Sequence, residues 1–210
     1  MSDDAYFATR LGADAARAAV WTHIARYLQR WVPAEGAVLD LAAGWADFAG
    51  AVRAQRRVAF DRRSDLAAVV PAGVEAVVGD VVDLGAFGDA TFDAVMASNL
   101  LEHLSHEDVD RCLDEAHRVL RPGGHLLLVQ PNFRLAPRTY FDDYTHRTIF
   151  TDRSLADRVT ARGFQVVRVE ARFLPLTLKS RLRSAHRLVP LYLRLPWRPL
   201  AGQMLVVARR

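Results

Sequence analysis

An α/β fold with a mostly parallel sheet is what this 210-residue chain predicts, and three observations predict it. Short apolar runs rich in β-branched residues alternate with longer stretches of helical period. Several of those runs close on an acid or an amide, at Asp40, Asp61, Asp80 and Asn99. With 51% hydrophobic and 25% charged residues, the chain can bury one substantial core, yet its longest apolar runs are too short to span a bilayer.

Taken in order, residues 14–32 read as an amphipathic helix, with Val20, Trp21, Ile24, Leu28 and Trp31 near one face and Arg17, Arg26 and Arg30 elsewhere. Pro33 and Gly36 stop it. Residues 38–49 then pass from an apolar strand ending in an acid, through a small-residue turn, directly into a helix. Residues 57–61, 75–78 and 92–98 read as the next three strands. Ser105 followed by Asp108 looks like an N-cap with a first-turn acid, opening a helix that ends before Arg121, Pro122, Gly123 and Gly124. A strand at 125–129, a helix at 151–162 stopped by Gly163, a strand at 164–170 and a last strand at 204–208 complete the pattern.

The turn is the most informative segment. Small side chains at Ala42, Ala43, Gly44 and Ala46 let a bound molecule approach the backbone, and the N–H groups of the following helix favour an anionic group there. Taken alone, the same pattern also describes a tight connection that binds nothing. About twenty residues after Asp40, Asp61 stands where an open α/β sheet places a carboxylate for ribose hydroxyls. Residues 79–81 and 98–103 follow at two further strand ends, so all four segments share one crevice in a doubly wound sheet.

The order of these segments, followed by residues 118–124 and the strand 125–129, resembles the class I S-adenosylmethionine-dependent methyltransferases over nearly the whole chain. The resemblance sharpens toward a bacterial branch linked to glycan and cell-envelope assembly. It is carried there by Tyr6, Phe7, Arg10, Trp21 and the strings 98–104, 131–134, 140–146 and 203–208. It implies a Rossmann-like mixed sheet of seven strands in the order 3-2-1-4-5-7-6, the seventh antiparallel, with helices on both faces. It also implies a single domain, 1–210, divided into an N-terminal helix or lid (1–33), a cofactor-binding core (37–171) and a basic insertion before the last strand (172–202).

The implied cofactor is S-adenosylmethionine. Asp40 and the turn Ala42, Ala43 and Gly44 would border its methionine part, and Asp61 would hold the ribose hydroxyls. Asp80 with the backbone of Val81 would recognise the adenine edge, while Ser98 and Asn99 would line the methyl-transfer end. A single strand-end acid is usually a solvent-facing loop residue; Asp61 and Asp80 are read as ligands because both stand at strand ends in this register. Members of the family usually show Gly-x-Gly-x-Gly in the turn, whereas this chain has Ala42, Gly44 and Ala46. At negative φ the two alanines cost little; at positive φ each costs about 1 kcal/mol. The missing glycines also count against a nicotinamide-dependent oxidoreductase, whose pyrophosphate needs close backbone approach.

For methyl transfer the protein must hold a nucleophile in line with the sulfonium methyl group and, where needed, remove a proton. His146 is the first choice of base, with Asp142 or Asp143 orienting its ring; fixing a loop is its other reading. His103 follows the fourth strand closely enough to face the crevice, with Leu101 and Leu104 beside it suggesting partial burial. Asp142 and Asp143 have no third oxygen ligand at recognisable spacing, so no metal is expected.

The formal net charge of +4 conceals an asymmetry. Residues 171–210 hold nine basic residues and no acid, so the first 170 carry nineteen basic residues against all 24 acidic ones. Leucines and Trp197 interleave with those cations, a composition suited to an anionic membrane surface or a phosphate-linked substrate through residues 172–200, or to a solvated arginine-rich lid. Nucleic acid is not an expected partner. The single cysteine, Cys112, excludes an internal disulfide and reads as a core residue. No basic region followed by an apolar core opens the chain, so it is expected in the cytoplasm, with room for peripheral contact at the inner membrane surface.

The expected function is methyl transfer by direct displacement to O or N of a small-molecule or glycan- or lipid-linked acceptor. The alternative is a catalytically inactive, methyltransferase-like binding or scaffold protein acting through its basic C-terminal segment.

Overall fold

A computed structural model describes residues 14–175 and 185–210. The proposed lid residues Tyr6, Phe7 and Arg10, and the cations Lys179, Arg181 and Arg183, lie outside the described residues. In chain order the elements are α1 (Ala15–Leu28), β1 (Ala37–Leu41), α2 (Asp47–Ala51), β2 (Arg56–Asp61), α3 (Leu66–Val69), β3 (Glu75–Val78), β4 (Phe92–Ser98), α4 (His106–Val119), β5 (Leu120–Pro131), α5 (Asp152–Ala161), β6 (Gln165–Pro175), α6 (Val189–Arg194) and β7 (Ala201–Arg209). The seven strands form one sheet in the order β3-β2-β1-β4-β5-β7-β6. β7 runs antiparallel to both β5 and β6, and the other pairs are parallel.

Both faces of the sheet are covered, which is why β1 is buried at every position and is apolar except for Asp40. Successive residues point to opposite faces. Leu39, Val95, Leu126 and Val206 join α4 and α5 in one core, while Val38, Ala94, Leu127 and Val207 join α1 and α6 in the other. α4 contributes Val109, Cys112, Leu113, Ala116 and Val119, the three-and-four spacing of an amphipathic helix. Its start is fixed by Ser105, whose hydroxyl accepts from the Asp108 N–H at 3.1 Å. Burial pushes the Cys112 thiol up to about 12, so it stays protonated in the core.

Three strands extend beyond their sequence signals. β5 begins at Leu120, before the Pro122-Gly123-Gly124 turn signal, because a register shift between Phe92 and Ala94 lets the segment stay paired with β4. β6 runs on to Pro175 and β7 starts at Ala201, so residues 172–175, 201 and 202 of the expected insertion are strand. Two short helices, α3 and α6, are too brief to show helical period in the sequence.

The basic segment is also less free than expected. Arg198 is 7% exposed, and its guanidinium pairs with Glu170 and donates to the carbonyls of Leu193 and Arg172. It ties α6 to β6 instead of presenting charge to a partner. Among the described residues no helix is long and apolar enough to cross a membrane.

Candidate active site

The turn after β1 has an unusual backbone. Ala42, Gly44 and Ala46 all lie in the left-handed region, with φ of 53°, 58° and 54°. These alternate positions thus share a glycine-type conformation, although two of them are alanine. Tertiary contacts hold that conformation. The Ala43 N–H donates to the Phe60 carbonyl at 3.1 Å, the Ala46 N–H to the Ala43 carbonyl at 2.8 Å, and the Gly44 N–H to Asp61 Oδ2 at 2.8 Å.

The expectation of an anion site on the following helix is corrected. α2 is only five residues long, and its first residue is preceded by Ala46, which has no capping side chain. Asp40 supplies the cap from the strand instead, accepting from the Ala49 N–H at 3.2 Å. Burial raises the Asp40 carboxyl to about 8, with the charges of Asp47 and Asp61 pushing the same way against that hydrogen bond. Asp40 therefore shapes the floor of the turn and is 4% exposed.

Asp61 is 5% exposed and already engaged through both oxygens, to the Gly44 N–H and, at 3.1 Å, to the Arg63 N–H. Hydroxyls of a bound ribose would share these oxygens, each of which has a second lone pair. Arg63, which the sequence reading passed over, locks the same loop. Its guanidinium donates to the Gly44 carbonyl at 3.2 Å, pairs with Asp65 at 2.6 Å and lies 4.6 Å above the Trp45 ring. At the next strand end the Gly79 N–H donates to the Asp61 carbonyl at 3.0 Å, which carries exposed Asp80 and buried Val81 into place beside Asp61. A Cβ on Gly79 would meet the Phe60 ring at 2.4 Å, so only glycine fits there.

Past β4, Asn99 turns the chain at φ 48°, a conformation that asparagine tolerates. Its amide donates to Ser98 Oγ at 3.1 Å and accepts from Gln203 of β7 at 2.7 Å. Residues 101–103 form a single 3₁₀ turn that buries Glu102 and leaves His103 about one-fifth exposed.

The histidines meet, but not as expected. The His103 and His146 ring centroids are 5.0 Å apart, and the Tyr140 ring lies 4.6 Å from His146. Asp143 reaches His103 through Thr145: its carboxylate accepts from Thr145 Oγ1 at 2.5 Å, and the same hydroxyl lies 2.9 Å from His103 Nδ1, while the charges of both histidines act on Asp143. The reason is local, since the turn 143–146 directs Thr145 toward the 3₁₀ segment. Burial, reinforced by the charge of His146, lowers the His103 ring to about 4, so it is neutral at physiological pH. Burial and then repulsion from Asp143 raise the Glu102 carboxyl to about 8. Sequence does not assign the roles of Thr145, Arg63 and Gln203, although Thr145 and Gln203 stand in strings that carry the resemblance, because those roles depend on partners 19 to 104 residues away.

Asp40, Asp61, the left-handed turn and the strand ends that bear Asp80 and Ser98 fit an adenosyl cofactor lying along the carboxyl edge of a sheet. The fold is that of the class I S-adenosylmethionine-dependent methyltransferases. Comparison with known proteins agrees: the family profile described as a methyltransferase domain matches residues 22–128, and the chain belongs to that family.

A malonyl-[acyl-carrier protein] O-methyltransferase of Methylococcus capsulatus is 31% identical over 159 residues, covering 68% of this chain and 56% of that protein. A mitochondrial 2-methoxy-6-polyprenyl-1,4-benzoquinol methylase of Rattus norvegicus is 40% identical over 81 residues, 37% of this chain and 24% of that one. The chain thus spans about half of the first relative's length and a quarter of the second's. An S-adenosylmethionine-dependent methyltransferase from Mesorhizobium loti has the same fold, with a TM-score of 0.65, 20% identity, and coverage of 91% of this chain and 98% of that one.

Proposed function

We propose that this chain transfers the methyl group of S-adenosylmethionine, by direct displacement, to an oxygen or nitrogen of a small-molecule acceptor, including one carried on a glycan or lipid. The observation that carries this reading is the turn held left-handed at residues 42, 44 and 46 and tied to Asp61 through the Gly44 N–H. Asp40 and the turn border the methionine part, Asp61 takes the ribose, Asp80 and Val81 take the adenine edge, and Ser98 and Asn99 line the transfer end. The cofactor supplies an electrophilic methyl group, so the protein's work is positioning and proton removal. The cluster of His103, His146 and Asp143 beyond β4 is where the acceptor is oriented for proton loss, with His103 neutral and positioned by Thr145 to accept a hydrogen bond.

The two relatives, one named an O-methyltransferase and one a benzoquinol methylase, support a small oxygenated acceptor. Exposed Leu188, Leu191, Trp197 and Leu200 beside exposed Arg187 and Arg194 suit a lipid- or phosphate-linked one, brought to a protein that works in the cytoplasm at the inner membrane surface.

The test is transfer of a labelled methyl group to a panel of carboxylic acids, phenols, sugar hydroxyls and amines, each free and lipid-linked. Label on an oxygen or nitrogen, with release of S-adenosylhomocysteine, is the expected result. Cofactor binding without transfer to any member would favour the inactive scaffold.

A further inference from the structure

Beyond β4 the fold brings three ligand-type side chains to one point. Glu102, His103 and His146 each offer one donor atom, and the three atoms lie within 4.8 Å of one another. We propose that these side chains form a binding site for a divalent first-row metal ion of the zinc type, with two imidazole nitrogens and one carboxylate as protein ligands.

Glu102 is the first reason. It is 1% exposed, and among the described residues no other residue gives either of its carboxylate oxygens a hydrogen bond. A carboxyl group buried in this way is unfavourable unless something compensates it, and a cation does so directly. The second reason is the tautomer of His103. Thr145 has one hydroxyl proton, and its 2.5 Å contact with the Asp143 carboxylate consumes it. The Thr145 oxygen must then accept from His103 Nδ1–H across 2.9 Å. The lone pair of His103 is therefore on Nε2, the atom 3.9 Å from Glu102 Oε1. Metal-binding histidines likewise have one ring N–H held by an outer partner, here the Thr145 hydroxyl backed by Asp143, so that the other nitrogen is oriented for the ion.

The distances are also compatible. Zinc ligands at 2.0–2.2 Å stand about 3.4 Å apart in a tetrahedron, so side-chain rotations of about an ångström would close the set. Three protein ligands leave a position open, as in catalytic rather than structural zinc sites. The Asp142 and Asp143 pair that seemed too sparse for a metal is not the ligand set; Asp143 stands behind His103. If the methyl-transfer reading holds, an acceptor hydroxyl in the open position would lose its proton more readily. That role depends on the proposed function, whereas the site itself does not.

Chelator-treated, dialysed protein titrated with Co²⁺ and followed by visible absorption tests the proposal, with Zn²⁺ as competitor and thermal unfolding to confirm that each variant is folded. One Co²⁺ per chain, displaced by Zn²⁺, is expected. Affinity should fall by about tenfold or more in Glu102→Gln and His146→Ala, and by about 10- to 100-fold in Asp143→Asn, which keeps an acceptor for the Thr145 N–H but removes the negative charge behind Thr145 and His103. No stoichiometric Co²⁺ in the parent protein, or binding unchanged in both ligand variants, overturns the site. S-adenosylhomocysteine calorimetry on the same metal-free sample keeps the two readings apart: Co²⁺ binding without nucleoside binding upholds the metal site and removes the methyltransferase role, and the reverse removes the site alone.

Discussion

Replacing Ala42 with glycine should stabilise this protein, although it removes a side chain. Ala42 lies at φ 53°, where an L-residue is strained by about 1–2 kcal/mol. Glycine releases that strain but gains freedom in the unfolded chain, which offsets about 0.4–1 kcal/mol. Ala42 is only partly buried, so little packing is lost, and the net gain should be about 0.5–1 kcal/mol. Ala46, at φ 54°, gains the same relief but is fully buried, and losing its methyl group costs about 0.8 kcal/mol, which brings Ala46→Gly close to neutral. Ala43 is outside the left-handed region, so Ala43→Gly should lose about 0.4–1 kcal/mol. Urea denaturation of the three variants, read at unchanged m-value, gives the comparison. A destabilised Ala42→Gly, or three variants shifted alike, would refute the claim that the turn holds two strained alanines.

Asp40→Asn keeps an acceptor for the Ala49 N–H but removes a group whose folded pKa, about 8, lies above its ordinary 3.8. The parent should lose stability as pH rises from about 4 to 8, by at most about 1.4 kcal/mol per pH unit. The stability of the variant relative to the parent should then grow over that window and level off above it; a difference constant from pH 5 to 9 contradicts the assignment. Arg198→Ala leaves Glu170 buried without its main cation and should cost about 3 kcal/mol, with a smaller loss in a Glu170→Gln background, measured by a denaturation double-mutant cycle. Gly79→Ala forces a Cβ against the buried Phe60 ring and should cost about 1–3 kcal/mol by thermal unfolding, while weakening nucleoside binding through the Asp61 carbonyl.

Much of the scaffold was legible because its signals are local. Glu75–Val78 and Phe92–Ser98 are bounded in the sequence by turn residues, and Ser105 caps α4 through a residue three positions on. The site was legible only in outline. Asp61 and Asp80 stand at the strand ends where the sequence placed them, but the sequence could not show that the Asp61 carboxylate also accepts from the Gly44 and Arg63 N–H groups. Nor does composition reveal φ, so the strain at Ala42 and Ala46 required the backbone. The link from Asp143 through Thr145 to His103 joins segments 42 residues apart, and no local pattern predicts which of two neighbouring histidines a loop will reach.

The central claim is that the crevice beside the alanine-containing turn accepts an adenosyl sulfonium, and calorimetric titration with S-adenosylhomocysteine tests it most directly. The parent should bind one equivalent, and Asp80→Asn, which keeps an acceptor for the Val82 N–H at an exposed position, should weaken binding while leaving the unfolding temperature nearly unchanged. A folded parent that releases no heat would contradict the account.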